Sequence, residues 1–179
     1  MWDLRECFRQ NKWNPKDIVE SPLKFATSSI EVFGDGRGFV VGSIEGRCGV
    51  KNYDTARTNL NADLDFCFKC HRMDTPHEKK AQVFPVNGFT FNQEYNTFAS
   101  YGGDGVIATW NKDTKSKYRG SKRFPHPIVA GNFSDDGEYL AFAIGCDYQK
   151  GYEEMRAIQF SNHIIIRAND IKTEVFKRR

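Results

Sequence analysis

The sequence predicts an all-β fold built from repeated antiparallel units of short strands, and three observations carry that expectation. Residues 98–111 (FASYGGDGVIATWN) read as two strands joined by a tight turn, in which Asp104-Gly105 supplies the positive φ that a hairpin requires. The pattern recurs: residues 39–50 carry Glu45-Gly46 in place of Asp104-Gly105, and residues 138–143 follow a third turn, Asp135-Asp136-Gly137. The apolar strands that precede these turns keep step as well, since Phe91 and Phe133 lie 42 positions apart.

That spacing falls within the period of about 40–45 residues of WD40 repeats. Small residues, an acid-Gly turn and an alternating run closing on Trp110 look like strands b and c of one blade in a WD40 β-propeller. An antiparallel sandwich also consists of short strands, but would not make turn, Gly and Trp positions recur together.

Taken in order, Trp2-Asp3 reads as the end of a strand c, so residues 1–22 are expected to be the remnant of a preceding blade and a connector. Residues 23–72 form a blade, with strand a over 30–33, the turn Gly34-Asp35-Gly36, strand b from Phe39, strand c from Arg47 and strand d over 64–70. The step from Glu45 to Asp104 is 59, so the excess over one repeat is assigned to loops at the polar stretches 55–65 and 73–82. A second blade covers 73–123, with strands at 86–91, 98–101, 106–110 and 116–123. The last covers 124–179, with strands at 128–133, 139–144 and 163–167, a long polar loop over 145–162 and a basic C-terminal tail ending Lys177-Arg178-Arg179. A ring needs at least about four blades. The chain is therefore expected to be the C-terminal portion, about three blades, of a larger propeller, with open strand edges that favour aggregation.

Composition agrees. An aromatic share of 14%, with 15 Phe, suits packed β-structure. No run approaches the roughly 18 apolar residues of a membrane span, and the N-terminus lacks the apolar core of a secretory signal. Five irregularly spaced cysteines fit a reducing compartment better than a disulfide framework. A net charge of +3 is too small to argue nucleic-acid binding by itself.

Several stretches occur together in one order: Glu20-Ser21-Pro22-Leu23-Lys24, Gly42-Ser43-Ile44-Glu45-Gly46-Arg47, Phe68-Lys69-Cys70-His71-Arg72, Pro85-Val86-Asn87-Gly88, Tyr95-Asn96-Thr97-Phe98-Ala99 and Asp147-Tyr148-Gln149-Lys150-Gly151-Tyr152-Glu153. With the Trp110 strand, they resemble the RNA export factor WD-repeat family of the nuclear pore. The mitotic spindle checkpoint WD-repeat family shares the Ser-Ile-Glu-Gly-Arg and Lys-Cys-His-Arg motifs and is the alternative; the first and last stretches favour the export factor. The resemblance implies the last three blades of a seven-bladed propeller acting as a non-enzymatic scaffold at the nucleus, nuclear envelope and cytoplasm. It implies binding of a GLEBS motif in a nucleoporin, service in messenger RNA export and a basic-aromatic patch linked to RNA. The checkpoint relative implies GLEBS motifs of checkpoint kinases instead.

Against that background Arg47 and Lys69 are the candidates for binding the partner motif, because an arginine at a propeller rim can grip a carboxylate through two parallel bonds. The family's nucleic-acid patch falls on Phe68, Lys69, Trp110, Lys112, Lys115 and Lys117, aromatics beside flexible cations as single-stranded nucleic acid requires. Asn111 replaces the usual Asp after Trp, which makes the patch more positive. Trp110 is also the structural tryptophan of its blade, and its exposure decides between the two roles. In many WD blades a Ser, an Asp and the Trp join a His in one hydrogen-bonded set. Ser100, Asp104 and Trp110 occupy three places and no His stands near 85–87, so the set is expected to be incomplete and structural.

A remote alternative from another class is a metal- or haem-binding protein. Cys67-Phe68-Lys69-Cys70-His71 spells the c-type haem pattern, and Cys67, Cys70, His71 and His77 could offer zinc ligands. Residues 64–69 alternate like a strand, however, which sends positions three apart to opposite faces. No cofactor is expected. Ser43, Ser100 and Ser134 show no His and Asp partners in the sequence, so hydrolase chemistry has no support.

Overall fold

Short runs of β-branched and aromatic residues broken by acid-Gly turns favour successive hairpins. In the computed structural model, which describes residues 2–15, 18–53, 65–75, 80–156 and 162–168, those hairpins form three antiparallel sheets of a partial β-propeller. The first sheet runs β1 (Thr27–Val32), β2 (Gly38–Ser43), β3 (Arg47–Asn52) and β4 (Phe66–Lys69). A separate hairpin of β5 (Arg72–Thr75) and β6 (Lys80–Val83) follows. The second sheet is β7 (Val86–Asn92), β8 (Thr97–Gly102), β9 (Ile107–Asn111) and β10 (Ser116–Gly120). The third holds β11 (Ile128–Phe133), β12 (Tyr139–Ile144) and β13 (His163–Ala168) among the described residues. Each is a meander, and β7 packs against both β1 and β11.

The repeat shows in detail that the sequence pattern does not display. All three inner strands carry a register shift near their first residue, at Thr27/Ser29, Val86/Gly88 and Ile128/Ala130. At each sheet boundary a side chain from one inner strand donates to the backbone carbonyl at the next shift. Ser28 Oγ reaches Val86 O at 2.6 Å, and Asn87 Nδ2 reaches Ile128 O at 2.9 Å. These bonds set the sheets' mutual register where apolar packing alone would let them slide.

Two cores lie between the sheets. Phe33, Val40, Cys48 and Val50 of the first meet Val86, Phe89, Phe98, Ala108 and Trp110 of the second. Ala99, Tyr101 and Ile107 meet Ile128, Phe133, Phe142 and Ile144 of the third. Strand β8 feeds both cores because its period of two sends Phe98 one way and Ala99 and Tyr101 the other. All six of its residues are buried, each large apolar one contributing about 2–3 kcal/mol.

The b–c turns need glycine. Gly46 and Gly105 sit at φ +68° and +69°, and a Cβ would stand 2.3 Å from His71 O and 2.5 Å from Phe124 O respectively. Those clashes mark where the chain leaving the sheet folds back: Cys70 N donates to Gly46 O and Phe124 N to Gly105 O.

Four expectations are corrected. Trp2-Asp3 does not end a strand; Asp3 caps helix α1 (Leu4–Gln10), its carboxylate accepting from Arg5 N and Glu6 N. Within the stretch 73–82, assigned to loop, the described residues 73–75 and 80–82 pair across β5 and β6; they are exposed and so leave no apolar alternation to read. The last strand of the second sheet stops at Gly120 rather than 123. The long polar loop after β12 contains a short helix, α2 (Tyr152–Arg156). The basic tail from 169 onward and His77 lie outside the described residues.

Candidate functional site

The His absent from the expected set is His71, beyond the end of β4 and directly after Cys70. Its Nδ1 lies 2.8 Å from Asp104 Oδ1 and its Nε2 lies 3.0 Å from Ser100 Oγ, while Trp110 Nε1 donates to the same Oγ at 2.9 Å. The set of four is complete and joins the first blade to the second. In the tautomer with the proton on Nδ1, His71 donates to Asp104, and Ser100 donates to Nε2 while accepting from Trp110. Gly102 makes room for the ring, since a Cβ there would stand 2.8 Å from His71 Cγ.

Ser100, His71 and Asp104 thus repeat the contact order of a hydrolase triad, which the sequence had not suggested. The chemistry is closed off. Ser100 is fully buried, His71 is 1% exposed, and the serine oxygen is occupied by the indole N–H. No carbonyl can approach it, so the set acts as a lock between blades.

The same bonds show where the residues of the haem and zinc reading lie. Both ring nitrogens of His71 are committed within the protein. Cys67 faces outward against Pro22 O, and Cys70 turns inward toward Cys48. Among the described residues, no three His, Cys, Asp or Glu side chains are placed to hold a metal ion.

Arg47 and Lys69 are direct cross-strand partners on β3 and β4, so their side chains share the outward face. Arg47 Nε contacts Glu45 Oε1 at 3.4 Å, and Arg72 Nη2 reaches Glu45 Oε2 at 3.7 Å and Glu45 O at 3.3 Å. Lys69 is exposed and makes no ion pair among the described residues. Two cations therefore share the Glu45 carboxylate, and one of them, Arg47, also stands opposite Lys69, a like-charge pairing unfavourable to the isolated fold.

The basic-aromatic patch does not assemble as one surface. Phe68 and Lys69 are neighbours in sequence but point to opposite faces: Phe68 packs inward on Trp110, ring centroids 4.4 Å apart. Trp110 is 9% exposed, hydrogen-bonded through its indole N–H and packed in the core between the first two sheets. Lys112 turns across the blade boundary to Asp35, 2.6 Å away, with its ammonium 4.9 Å from the centre of the Phe33 ring. Only Lys115 and Lys117 stay on the patch, over the rings of Phe66 and Trp110 at 5.4 and 5.5 Å. Asn111, expected simply to remove a negative charge, holds the c–d turn by accepting from Asp113 N and Thr114 N.

No protein-family profile matches the chain. It is 38% identical over 135 residues to the "mRNA export factor GLE2" of Chaetomium thermophilum, covering 75% of this chain and 36% of that one. It is 36% identical over 149 residues to the "Poly(A)+ RNA export protein" of Schizosaccharomyces pombe, covering 83% and 40%, and 38% identical over 144 residues to the "Protein RAE1" of Arabidopsis thaliana, covering 80% and 38%. The chain thus spans about two fifths of the length of these relatives. Among solved structures, the β-propeller domain of Cps50 (Swd1) from Myceliophteria thermophila superposes with a TM-score of 0.54 at 11% identity, covering 86% of this chain and 39% of that one. That likeness concerns the fold alone.

Proposed function

This chain belongs to the RNA export factor family of WD-repeat proteins, and from that premise we propose that it is part of a non-enzymatic scaffold for messenger RNA export at the nuclear pore. Its binding element is the outward face of β3 and β4, and its ligand is an acidic segment of the GLEBS kind in a nucleoporin. The observation that carries this reading is the pairing of Arg47 with Lys69 beside Glu45 and Arg72. Cations opposed across two strands repel each other in the free protein, and an acidic peptide relieves that repulsion as it binds. Arg47 engages Glu45 through Nε, and its side chain is 37% exposed, so its guanidinium can also meet a ligand carboxylate.

The test measures binding of an acidic GLEBS peptide to the chain and to Arg47→Ala and Lys69→Ala variants, alongside their unfolding midpoints. Each substitution is expected to weaken binding about tenfold, the loss of roughly one charge-assisted contact, with folding essentially unchanged. Unaltered affinity in folded variants would overturn the assignment. Running nucleoporin and checkpoint-kinase peptides in parallel separates the export role from that of a checkpoint adaptor. Single-stranded RNA, the other ligand class, has Lys115 and Lys117 to meet its phosphates but not the Trp110 face to stack on.

A further inference from the structure

Two thiols meet inside the first blade, next to the locking set but outside it. Cys48 on β3 is fully buried, Cys70 just past β4 is partly exposed, and their Sγ atoms stand 3.1 Å apart. The register puts them there. Cys48 lies opposite Phe68, and Cys70 N bonds to Gly46 O, so the two cysteines are diagonal neighbours on the inward face. Cys67 is one pleat away and points outward.

The sulfurs need to close by about 1 Å to bond. We propose that Cys48 and Cys70 form an oxidisable dithiol, which hydrogen peroxide converts into an intrachain disulfide tying β3 to β4. The partly exposed Cys70 reacts first. Its thiolate sulfur attacks one oxygen of the peroxide, the O–O bond breaks, hydroxide leaves and Cys70 becomes a sulfenic acid. The Cys48 sulfur then attacks the sulfenyl sulfur; the S–S bond forms, the S–O bond breaks, and the departing hydroxide takes the Cys48 proton as water. Two thiols and one peroxide give one disulfide and two waters.

Burial, and after it the contact with Cys70, push the Cys48 thiol well above the usual cysteine range, so it stays protonated until a sulfenic acid forms beside it. The outer thiol is the one oxidant can reach, and the inner one is held ready to resolve it. The bond would fasten the two strands that carry Arg47 and Lys69.

The test treats the full chain with stoichiometric hydrogen peroxide, then blocks free thiols and measures intact mass and a non-reducing peptide map. The expected product is lighter by two hydrogens, carries a Cys48–Cys70 crosslinked peptide, and reverts with dithiothreitol. A Cys67→Ser variant should form the same crosslink. In Cys48→Ala, Cys70 should accumulate as a sulfenic acid that dimedone traps. A crosslink through Cys7, Cys67 or Cys146 instead, or oxidation of Cys70 to sulfinic acid while Cys48 stays reduced, would overturn the proposal. Should Cys48→Ala fail to fold, the peptide map of the unsubstituted chain decides alone.

Discussion

His71 and Ser100, 29 positions apart, meet between the first and second blades at 3.0 Å, Nε2 to Oγ. The contact belongs to a chain of hydrogen bonds running from Asp104 through His71 and Ser100 to Trp110, all four residues buried. Removing one end strands a buried donor. Asp104→Ala leaves His71 Nδ1–H and Val106 N without their shared acceptor and should cost about 2–4 kcal/mol. Trp110→Phe keeps most of the packing and loses one neutral bond, so it should cost about 1–2 kcal/mol. Urea unfolding of both variants checks the order, and a His71/Ser100 double-mutant cycle should give a coupling of at least about 0.5 kcal/mol.

Gly46 and Gly36 share nearly the same backbone conformation, φ +68° and +67°, yet only Gly46 is crowded. Alanine at Gly36 meets open space and should cost about 1 kcal/mol, the strain of a left-handed residue. Alanine at Gly46 adds a Cβ 2.3 Å from His71 O, and backbone must move to admit it. That movement displaces the locking histidine, so Gly46→Ala should cost about 3 kcal/mol or more. Equal thermal midpoints for the two variants would show that φ alone governs these turns.

The blades were readable in the sequence because their signals are local: Asp104-Gly105, Glu45-Gly46 and Asp136-Gly137 mark turns, and strands that feed two cores are apolar on both faces. The lock was not, because His71 sits beyond the strand of another blade and inside a run that spells a haem motif. The signal that could have found it is Gly102, small where the ring passes. The β5–β6 hairpin was hidden because exposed strands carry no apolar alternation. How the basic-aromatic residues divide between faces was not legible either, because adjacency in sequence, as for Phe68 and Lys69, means opposite faces on a strand.

Asp35 and Lys112 give the assembly an acid-sensitive seam. Burial alone would raise the Asp35 carboxyl, but its hydrogen bond and charge contact with Lys112, and the Arg37 amide, hold it below the ordinary range. Asp65 is lowered in the same way by Lys51 and the Asn52 amide, against its own burial. A carboxylate with a depressed folded pKa contributes stability that is full above its unfolded value of about 3.9 and is lost as pH falls through the folded value. Denaturant midpoints should therefore stay level above about pH 5 and fall below about pH 4. Lys112→Met, which keeps the stem over Phe33 and removes the charge, should flatten part of that fall. An unchanged acid limb in this variant would show that the seam contributes nothing.

The third sheet presents the last relationship with a measurable consequence. Strand β13 pairs with β12 in continuous register from Tyr139↔Ala168 to Ile144↔His163, and it is the sheet's outer strand among the described residues. Alternation buries Ile165 partly against the core while Ile164 and Ile166 point outward, 80% and 70% exposed, beside Tyr139 at 49%. Two outward β-branched apolar residues beside a half-exposed tyrosine offer an apolar face to another chain. The 179-residue chain should accordingly self-associate as its concentration rises. Ile164→Lys and Ile166→Lys each place a charge on that face without touching the core and should suppress association in light scattering, while Ile165→Lys should unfold the sheet instead. If the outward lysines leave scattering unchanged, association runs through another surface.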